Sequence, residues 1–303
     1  MPSNLNLMLI YGLLVLIWAT TPLAIVWSVE DIYLMWALVV RLSLALPIAF
    51  CLLWVLKVHF PFNRIALHSY IAGSFSLIGS QFFTYVATSY LSSGMIALMF
   101  GLAPIMAGFI GRFIFDQQLN RLQWIGMCIA ISGLAFISFS GVNQHISPIG
   151  IGLMLLAVFS YAMSMFWVKK VNADVAPMAQ ATGSILISTL AASLIVPFIW
   201  GNLPTTLPSM KSMLALAYTV VMASLVAMFC YFYLVRNIQA TTLSLTNVMT
   251  PVLAMILGSI FNHEKITLGM LIGTTILLLG LFIYFYRDLQ ANRRFKQKID
   301  YKN

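Results

Sequence analysis

One charged side chain lies inside a long apolar stretch of this 303-residue sequence. Arg41 is preceded by Leu-Val-Val and followed by Leu42. A charge near the centre of a bilayer costs at least ~2.5 kcal/mol on insertion scales, so an arginine there needs a compensating role. It can act as the counter-charge for an anionic group such as a carboxylate. It can instead be structural, with its guanidinium bonding backbone carbonyls or reaching toward the nearer surface. The sequence leaves both roles open.

Neutral polar and aromatic side chains recur at helical spacing in other apolar stretches. Residues three, four or seven positions apart share a helix face, so this spacing predicts stripes that face a cavity. A single Ser or Thr in such a stripe is also typical of helix packing, whereas Gln and Asn are costlier to expose to lipid. These candidate substrate-binding residues are Thr21, Gln81, Tyr85, Ser164, Tyr231, Thr246, Asn247 and Thr250.

Two prolines and one tryptophan complete the set of candidate site residues. Pro104 and Pro251 each remove a helix hydrogen bond and free a carbonyl within an apolar stretch. Paired kinks in corresponding helices indicate a binding site or a hinge. Trp18 lies near the middle of the first apolar stretch, where it either forms an aromatic wall beside the site or simply packs.

No pattern in the sequence supports catalysis. The motifs of metalloproteases, of hydrolases with a serine nucleophile and of phosphate-binding loops do not occur. The seven acidic residues and four histidines fall in loops or at predicted helix ends, so no buried proton relay is visible. The three cysteines lie in apolar runs and are predicted to pack. We therefore predict no catalytic residue, no metal and no cofactor.

The composition indicates which elements position these residues. Hydrophobic residues make up 61% of the chain and charged residues 8%, whereas about a quarter of a soluble domain is charged. Stretches of about 20 apolar residues, enough to cross a ~30 Å hydrocarbon core, recur along the chain. The sequence thus predicts an all-α integral membrane protein. Its ten predicted transmembrane helices span 5–27, 34–56, 69–88, 92–114, 122–141, 148–168, 178–200, 212–235, 242–261 and 268–287.

The distribution of basic residues predicts the orientation. With the N-terminus in the cytoplasm, thirteen Lys and Arg residues lie inside, six of them after the last apolar run, and only Lys211 and Lys265 lie outside. This bias predicts that both termini are cytoplasmic. The predicted location of the chain is a bacterial inner membrane. The net charge of +9 is therefore explained by membrane orientation. No motif for binding nucleic acid accompanies it, so the predicted surroundings are the lipid bilayer.

The two halves of the chain resemble each other at a constant offset of 147 residues. The paired positions that carry most weight are Pro104 with Pro251, Gly111 with Gly258, Gly126 with Gly273, and Gly133 with Gly280. Five helices per half is an odd number, so the second half would enter the membrane from the opposite side. The pattern predicts two inverted-topology repeats at 1–144 and 145–290, followed by a basic cytoplasmic tail at 291–303.

These features resemble the EamA-type members of the drug/metabolite transporter superfamily. The resemblance spans nearly the whole chain and rests on Trp18 to Pro22, on Arg41-Leu42, and on the Pro…Gly…acidic patterns from Pro104 to Gln117 and from Pro251 to Glu264. The sequence departs from the family at Ala19, where Gly is usual, and at Gln117, where an acid is common.

The resemblance implies alternating-access transport of a small-molecule substrate. Neutral, aromatic and Met-containing stripes with a single arginine favour export of amino acids or related small metabolites, and the lack of a buried acid favours facilitated movement. Efflux of amphiphilic drugs is an alternative. A membrane sensor or accessory subunit that transports nothing is an alternative of a different class.

Overall fold

A computed structural model of the chain describes residues 4–114, 118–140, 147–204, 206–237 and 246–300. These residues form α-helices joined by short loops, with two π-helical segments and one 3-10 turn. The α-helices in chain order are α1 (Asn4–Ser28), α2 (Leu34–Val55), α3 (Arg64–Ser74), α4 (Ser80–Ala87), α5 (Ser93–Phe100), α6 (Ala103–Ile114), α7 (Arg121–Ser140), α8 (Pro148–Val171), α9 (Pro177–Ser193), α10 (Val196–Ile199), α11 (Met210–Tyr218), α12 (Ala227–Asn237), α13 (Thr246–Asn262) and α14 (Leu268–Asp300).

Local sequence signals define several helix starts. The Asn63 side chain accepts a hydrogen bond from the Ala66 backbone at the start of α3, at 2.8 Å. Ser92 and Ser209 provide the same kind of cap for α5 and α11. Such side chains satisfy backbone N–H groups that have no partner inside the helix. Pro148 and Pro177 stand at the first positions of α8 and α9, where a missing N–H is harmless.

Six described helical segments are long and apolar enough to cross a membrane, or seven if the α9–α10 pair, bent by 51°, counts as one span. Two shorter apolar helices, Arg121–Ile137 and Met249–Asn262, accompany them. The segment from α3 to α4 is helical throughout but contains a π-helical insertion and more polar residues. The all-α prediction therefore agrees with the structure, and the count of ten spans stays a prediction.

The outer surface of the bundle is apolar, as α2 illustrates. Leu44, Ile48 and Val55 are exposed along one face of this helix. The opposite face buries Leu38, Arg41, Leu42 and Ala45 against neighbouring helices. A helix that is apolar on its exposed face and holds its charge inside is arranged for lipid rather than for water.

The two π-helical segments occupy corresponding places in the two halves of the chain. The first, Phe75–Gly79, joins α3 to α4, and the second, Thr219–Val226, joins α11 to α12. The offset of 147 residues places 75–79 on 222–226, inside the second segment. A π-helical turn inserts a residue into the helix and redirects the side chains that follow it, and such turns occur frequently at functional sites.

The two candidate prolines lie in different helical settings. The helix is interrupted at Gly101–Leu102, between α5 and α6, and Pro104 follows directly inside α6. Pro251 lies within the continuous helix α13. Gly101 faces it so closely that a Cβ added to Gly101 would lie 3.1 Å from Pro251 Cγ. One proline thus coincides with a helix break, while the other packs against the residue beside that break.

Two of the three glycine pairs, Gly126 with Gly273 and Gly133 with Gly280, meet at the crossing of α7 and α14. A Cβ added to Gly126 would lie 2.6 Å from the Gly280 carbonyl oxygen, and one added to Gly133 would lie 2.7 Å from the Gly273 carbonyl oxygen. The order of the contacts shows that the two helices run antiparallel. Exchanging the halves by 147 residues converts the first contact into the second, so the crossing has approximate two-fold symmetry. Small residues allow this close backbone approach.

Several helix ends differ from the predicted ones, and those of α3 and α14 have identifiable causes. α3 begins at Arg64, five residues before the predicted start, because Asn63 caps it there. α14 continues to Asp300 although its apolar run ends near residue 287. No Gly or Pro occurs between residues 288 and 300, so no helix-breaking residue stops the last helix at the end of its apolar stretch.

Candidate functional site

Arg41 is buried in the bundle between the two halves of the chain. Its side chain is 2% exposed. Its Nη1 group donates to Gln81 Oε1 at 3.0 Å, and its Nε group donates to Ser224 Oγ at 2.9 Å. Gln81 belongs to the first half and Ser224 to the second. One guanidinium therefore links both halves through two neutral acceptors.

The π-helical segments position these acceptors. Gln81 is the second residue after the first segment, and Ser224 lies inside the second segment. The Ser224 hydroxyl donates to the Thr219 carbonyl at 2.9 Å, which leaves its oxygen oriented to accept from Arg41. The candidates Arg41 and Gln81 are thus brought together. Ser224, seven residues before the candidate Tyr231 in the sequence, joins them.

Tyr85 lies one helical turn beyond Gln81 on the same face of α4. Its side chain is 0% exposed and packs in a cluster with Leu38 and Leu42, the neighbours of Arg41 on α2. Its hydroxyl makes no hydrogen bond to any residue that the structure describes. A buried polar group without a partner costs free energy, so this hydroxyl needs an explanation.

Aromatic side chains from four helices form a second group, the aromatic wall, defined as Trp18, Phe100, Tyr161 and Tyr231. The Trp18 and Tyr231 rings lie 5.5 Å apart, and those of Phe100 and Tyr161 lie 6.3 Å apart. The hydroxyls of Tyr161 and Tyr231 are hydrogen-bonded to each other. All four side chains are only partly buried, so the wall can contact a ligand.

Sequence reasoning missed Phe100 and Tyr161. Tyr161 lies three residues before the candidate Ser164 on α8, and this helical spacing is the signal that could have identified it. Phe100 directly precedes the break between α5 and α6. Its position four residues before the candidate Pro104 is a weaker signal for a site residue. The chain contains 21 Phe and 12 Tyr residues, and this abundance hides the few that meet inside the bundle.

The hydroxyls of several other candidates are bound to backbone. Ser164 Oγ donates to the Ala72 carbonyl at 2.7 Å, which ties α8 to α3. Thr21 and Thr250 donate to carbonyls one turn earlier in their own helices. Thr246 is buried at the start of α13. The Asn247 side chain lies outside the described part of the structure, so its predicted role remains a prediction.

A polar network closes one end of the bundle. We name it the latch and define it as Trp27, Glu30, Asp31, Ser93, Ser209, Lys211, Ser212, Asn262 and Glu264. It joins the end of α1, the α1–α2 loop, the starts of α5 and α11, and the end of α13 with its following loop.

Two parts of the latch connect the end of α1 and the α1–α2 loop to the start of α11. Lys211 Nζ lies 2.6 Å from Glu30 Oε1 and over the Trp27 ring. The hydroxyls of Ser209 and Ser212 donate to the Asp31 carboxylate, as does the Ser209 backbone N–H. These hydrogen bonds hold the pKa of Asp31 below its usual range because they stabilise the ionised form.

The third part joins the end of α1 and the start of α5 to the end of α13 and the loop after it. Trp27 Nε1 donates to Asn262 Oδ1 at 2.9 Å, and Asn262 Nδ2 donates to Glu264 Oε1 at 3.0 Å. Glu264 accepts bonds from the backbone N–H groups of Ser93 and Gly94. A carboxylate at a helix N-terminus stabilises the unpaired N–H groups of the first turn.

No acidic side chain that the structure describes lies in the interior with Arg41. Glu30, Asp31, Asp174 and Glu264 lie in loops at the two ends of the bundle. Within the same described ranges, no three His, Cys, Asp or Glu residues are close enough to bind a metal ion. The interior site is therefore built from one cation, neutral polar groups and aromatic rings.

Comparisons with known proteins agree with this architecture. The model of the EamA-like transporter family matches residues 6–139 and 148–286, once in each half of the chain. The chain is 28% identical over 217 residues to the uncharacterized inner membrane transporter YedA of Escherichia coli K12, covering 68% of this chain and 69% of YedA. An uncharacterized transporter of Buchnera aphidicola is 25% identical over 292 residues, covering 93% of this chain and 97% of its own.

A protein of known crystal structure has the same fold. It superposes with a TM-score of 0.65 over 96% of this chain and 99% of its own, at 16% sequence identity. At that identity the similarity concerns the fold alone. The two matches to the family model are matches of sequence, and together they cover most of the chain. The chain therefore belongs to the EamA-like transporter family and is a multi-pass inner-membrane transporter, not an enzyme.

Proposed function

We propose that this transporter exports amino acids or related small metabolites by alternating access. In this proposal the chain forms ten transmembrane helices in two inverted five-helix repeats, 1–144 and 145–290, with a basic cytoplasmic tail at 291–303. Both termini lie in the cytoplasm. Two repeats that exchange conformations open a central site first to one side of the membrane and then to the other.

The observation that carries this proposal is the position of Arg41 between the halves. Its two acceptors come from different repeats: Gln81 follows the first π-helical segment, and Ser224 lies inside the corresponding second one. A substrate that binds there contacts both repeats, and it can therefore favour one relative arrangement over another. The antiparallel crossing of α7 and α14, with its glycine contacts related by two-fold symmetry, supports the inverted repeats.

The latch indicates the state of the transporter. In the predicted orientation the latch lies at the outer face, where the basic residues Lys211 and Lys265 are the only ones expected. There α1 and α5 of the first repeat are joined to α13 of the second. This arrangement supports a state closed toward the outside, and opening the latch would release the substrate in export.

The chemistry of the interior favours zwitterionic or neutral substrates. Arg41 repels cations, and the aromatic wall provides contacts for an apolar body. No described acid lies in the interior to carry a proton, which supports facilitated movement rather than proton exchange. Efflux of amphiphilic drugs is the second candidate, because the aromatic wall would also accept such compounds if they were neutral.

Flux measurements test the proposal. Purified protein in liposomes is given labelled amino acids, aromatic metabolites and cationic dyes, with and without a pH gradient. We expect saturable amino-acid flux that needs no gradient and falls at least tenfold in Trp18→Ala and in Asn247→Ala. Trp54→Ala is the matched control for Trp18→Ala, because Trp54 is 81% exposed on the bundle surface. Flux of dyes alone would favour drug efflux, and flux no faster than in empty liposomes would contradict both.

A further inference from the structure

We propose that Arg41 binds the carboxylate of the transported substrate, with the Tyr85 hydroxyl as a second donor. This inference rests on the proposed transport function and gives the chemical class of its substrate: small molecules with a free carboxylate and an apolar body. In the closed state Gln81 and Ser224 accept the hydrogen bonds of the guanidinium, and the substrate carboxylate replaces them as acceptor.

The first argument concerns charge. Arg41 is buried, and both acceptors that the structure describes for it are neutral. The ion pair Lys211–Glu30 lies in the latch, far along the helices from Arg41. A buried cation without a counter-ion is destabilising. An anionic ligand supplies the missing counter-charge.

The second argument concerns unused hydrogen-bonding capacity. A guanidinium has five N–H donors, and the described acceptors bind only its Nη1 and Nε groups. The Tyr85 hydroxyl, one turn from Gln81, is buried and unpaired. A carboxylate has two oxygens that together accept about four hydrogen bonds. It thus has enough acceptor sites for the free guanidinium donors and for the tyrosine hydroxyl.

The third argument concerns exchange. Hydrogen bonds between a guanidinium and a carboxylate are charge-assisted and stronger than those to a neutral amide or hydroxyl. A substrate carboxylate therefore competes well with Gln81 and Ser224 for Arg41. Its binding would break the hydrogen bond from Arg41 to Ser224. This is the bond that links α2 of the first repeat to the second repeat. Substrate binding and the contact between repeats are thereby coupled.

The position of the aromatic wall limits the shape of the substrate. Ser224 and Tyr231 are seven residues apart along the helix formed by the second π-helical segment and α12, which separates them by about 10 Å along its axis. The ring centroid of Tyr231 lies 5.5 Å from that of Trp18. A carboxylate at Arg41 therefore places an attached aromatic or branched aliphatic group toward the wall. Amino acids with such side chains satisfy both requirements.

The test compares acids with their amides. L-phenylalanine and L-leucine, and the corresponding carboxamides, are added to purified protein. Thermal stabilisation and competition with labelled amino-acid flux are then measured. We expect the acids to stabilise the protein and to inhibit the labelled flux at concentrations at least tenfold lower than those the amides require. The Arg41→Gln variant should lose this preference, and Arg41→Lys should retain part of it.

Tyr85→Phe keeps the test decisive if Arg41 variants fail to fold. The substitution removes a hydroxyl that has no described partner, so the melting temperature without ligand should not fall. The apparent affinity for the acids should fall about tenfold, with the amides unaffected. Ser80→Ala is the matched control, because it removes another buried, unpaired hydroxyl from the same helix. This control should leave the preference for acids unchanged.

The outcomes separate this inference from the proposed function. Stabilisation by acids but not amides, in protein that moves no compound, would support the carboxylate site and contradict transport. Flux of amino acids with equal use of acids and amides would support transport and overturn the carboxylate site. No response to either acid, or an unchanged acid preference in both Arg41→Gln and Tyr85→Phe, would also overturn it.

Discussion

Glu264, in the loop after α13, caps the first turn of α5 through Ser93. Its Oε1 atom accepts from the Ser93 backbone N–H at 3.0 Å and from the Ser93 hydroxyl at 2.5 Å. The two residues are 171 positions apart in the sequence and belong to different repeats. The start of one repeat's fourth predicted helix is thus stabilised by a carboxylate from the other repeat. Any movement that opens this end of the bundle must break the cap.

Replacing Glu264 by Gln should loosen the cap without removing the side chain. The charge and one strong acceptor are lost, and hydrogen bonds to charged groups contribute about 1.5–3 kcal/mol. We expect the Ser93 and Gly94 amides to exchange with deuterium at least tenfold faster, since about 1.4 kcal/mol corresponds to tenfold. Hydrogen-exchange mass spectrometry of the 90–100 segment measures this.

Glu30→Gln is the control for this experiment. Glu30 also lies in the latch, but its pair with Lys211 is exposed, and exposed ion pairs contribute little. Its replacement should leave exchange at Ser93 and Gly94 unchanged. Equal acceleration in both variants would mean that the latch responds to total charge rather than to the cap.

The latch should depend on pH through Asp31. Hydrogen bonds from Ser209 and Ser212 lower the pKa of this carboxylate from its ordinary value of 3.8. A lowered pKa gives stabilisation that is fully present above the ordinary value and is lost as the pH falls through the lowered one. The melting temperatures of wild type and Asp31→Asn should therefore differ by a constant amount from pH 5 to pH 8.

Below the ordinary pKa the same difference should shrink. As the pH falls on through the lowered pKa, the wild-type carboxylate becomes protonated and resembles the neutral asparagine. Thermal unfolding of both proteins across the acidic range provides the comparison. A difference that grows on acidification would show that the sign of the pKa shift is opposite to the one the hydrogen bonds imply.

The crossing of α7 and α14 should tolerate no added carbon. A Cβ on Gly126 would lie 2.6 Å from both the Gly280 carbonyl oxygen and the Tyr284 nitrogen. Because both are backbone atoms, they cannot rotate away. Gly126→Ala should destabilise the protein by about 1–3 kcal/mol, the usual cost of overpacking. The melting temperature in detergent should fall accordingly.

Two other glycines provide a matched comparison. Gly12 in α1 and Gly152 in α8 have no neighbouring atom within 4 Å of an added Cβ. Alanine has the higher helix propensity, by up to about 1 kcal/mol. Gly12→Ala and Gly152→Ala should leave the melting temperature unchanged or raise it. A similar loss in all three variants would contradict the special role of the α7–α14 crossing.

The sequence predicted the helical architecture and part of the site for identifiable physical reasons. The apolar runs predict membrane helices, because a helix of about 20 apolar residues is long enough to span the hydrocarbon core of a bilayer. The offset of 147 residues identified Gly126, Gly133, Gly273 and Gly280, which the structure brings together. Arg41 was found because a charge in an apolar run is rare, and Gln81 because an amide is costly to expose to lipid.

Other features had no signal in one sequence. The π-helical segments insert a residue without altering the apolar pattern, so hydropathy does not reveal them. Nothing in the sequence pairs Asp31 with Ser209 or Glu264 with Ser93, since each pair is joined only by folding. Ser164 illustrates the opposite case: its stripe predicted a cavity-facing residue, whereas its hydroxyl is bound to the Ala72 carbonyl.

The central claim is that the two repeats move against each other at the latch during transport. Gly94 in α5 and Met255 in α13 are suitably placed for an engineered disulfide. A Cβ on Gly94 would lie 3.9 Å from the Met255 Cβ, within the range of about 3.5–4.5 Å for disulfides. The pair Gly94→Cys and Met255→Cys is introduced into a chain whose three native cysteines are replaced by alanine. The single variants serve as controls.

The decisive measurement is amino-acid flux through this double variant before and after oxidation. We predict that the cross-link forms, that flux then falls to the level of empty liposomes, and that a reductant restores it. The single variants should keep their flux under the same oxidant. Undiminished flux with the cross-link complete would contradict the account, because transport would then proceed without separation of the two repeats at the latch.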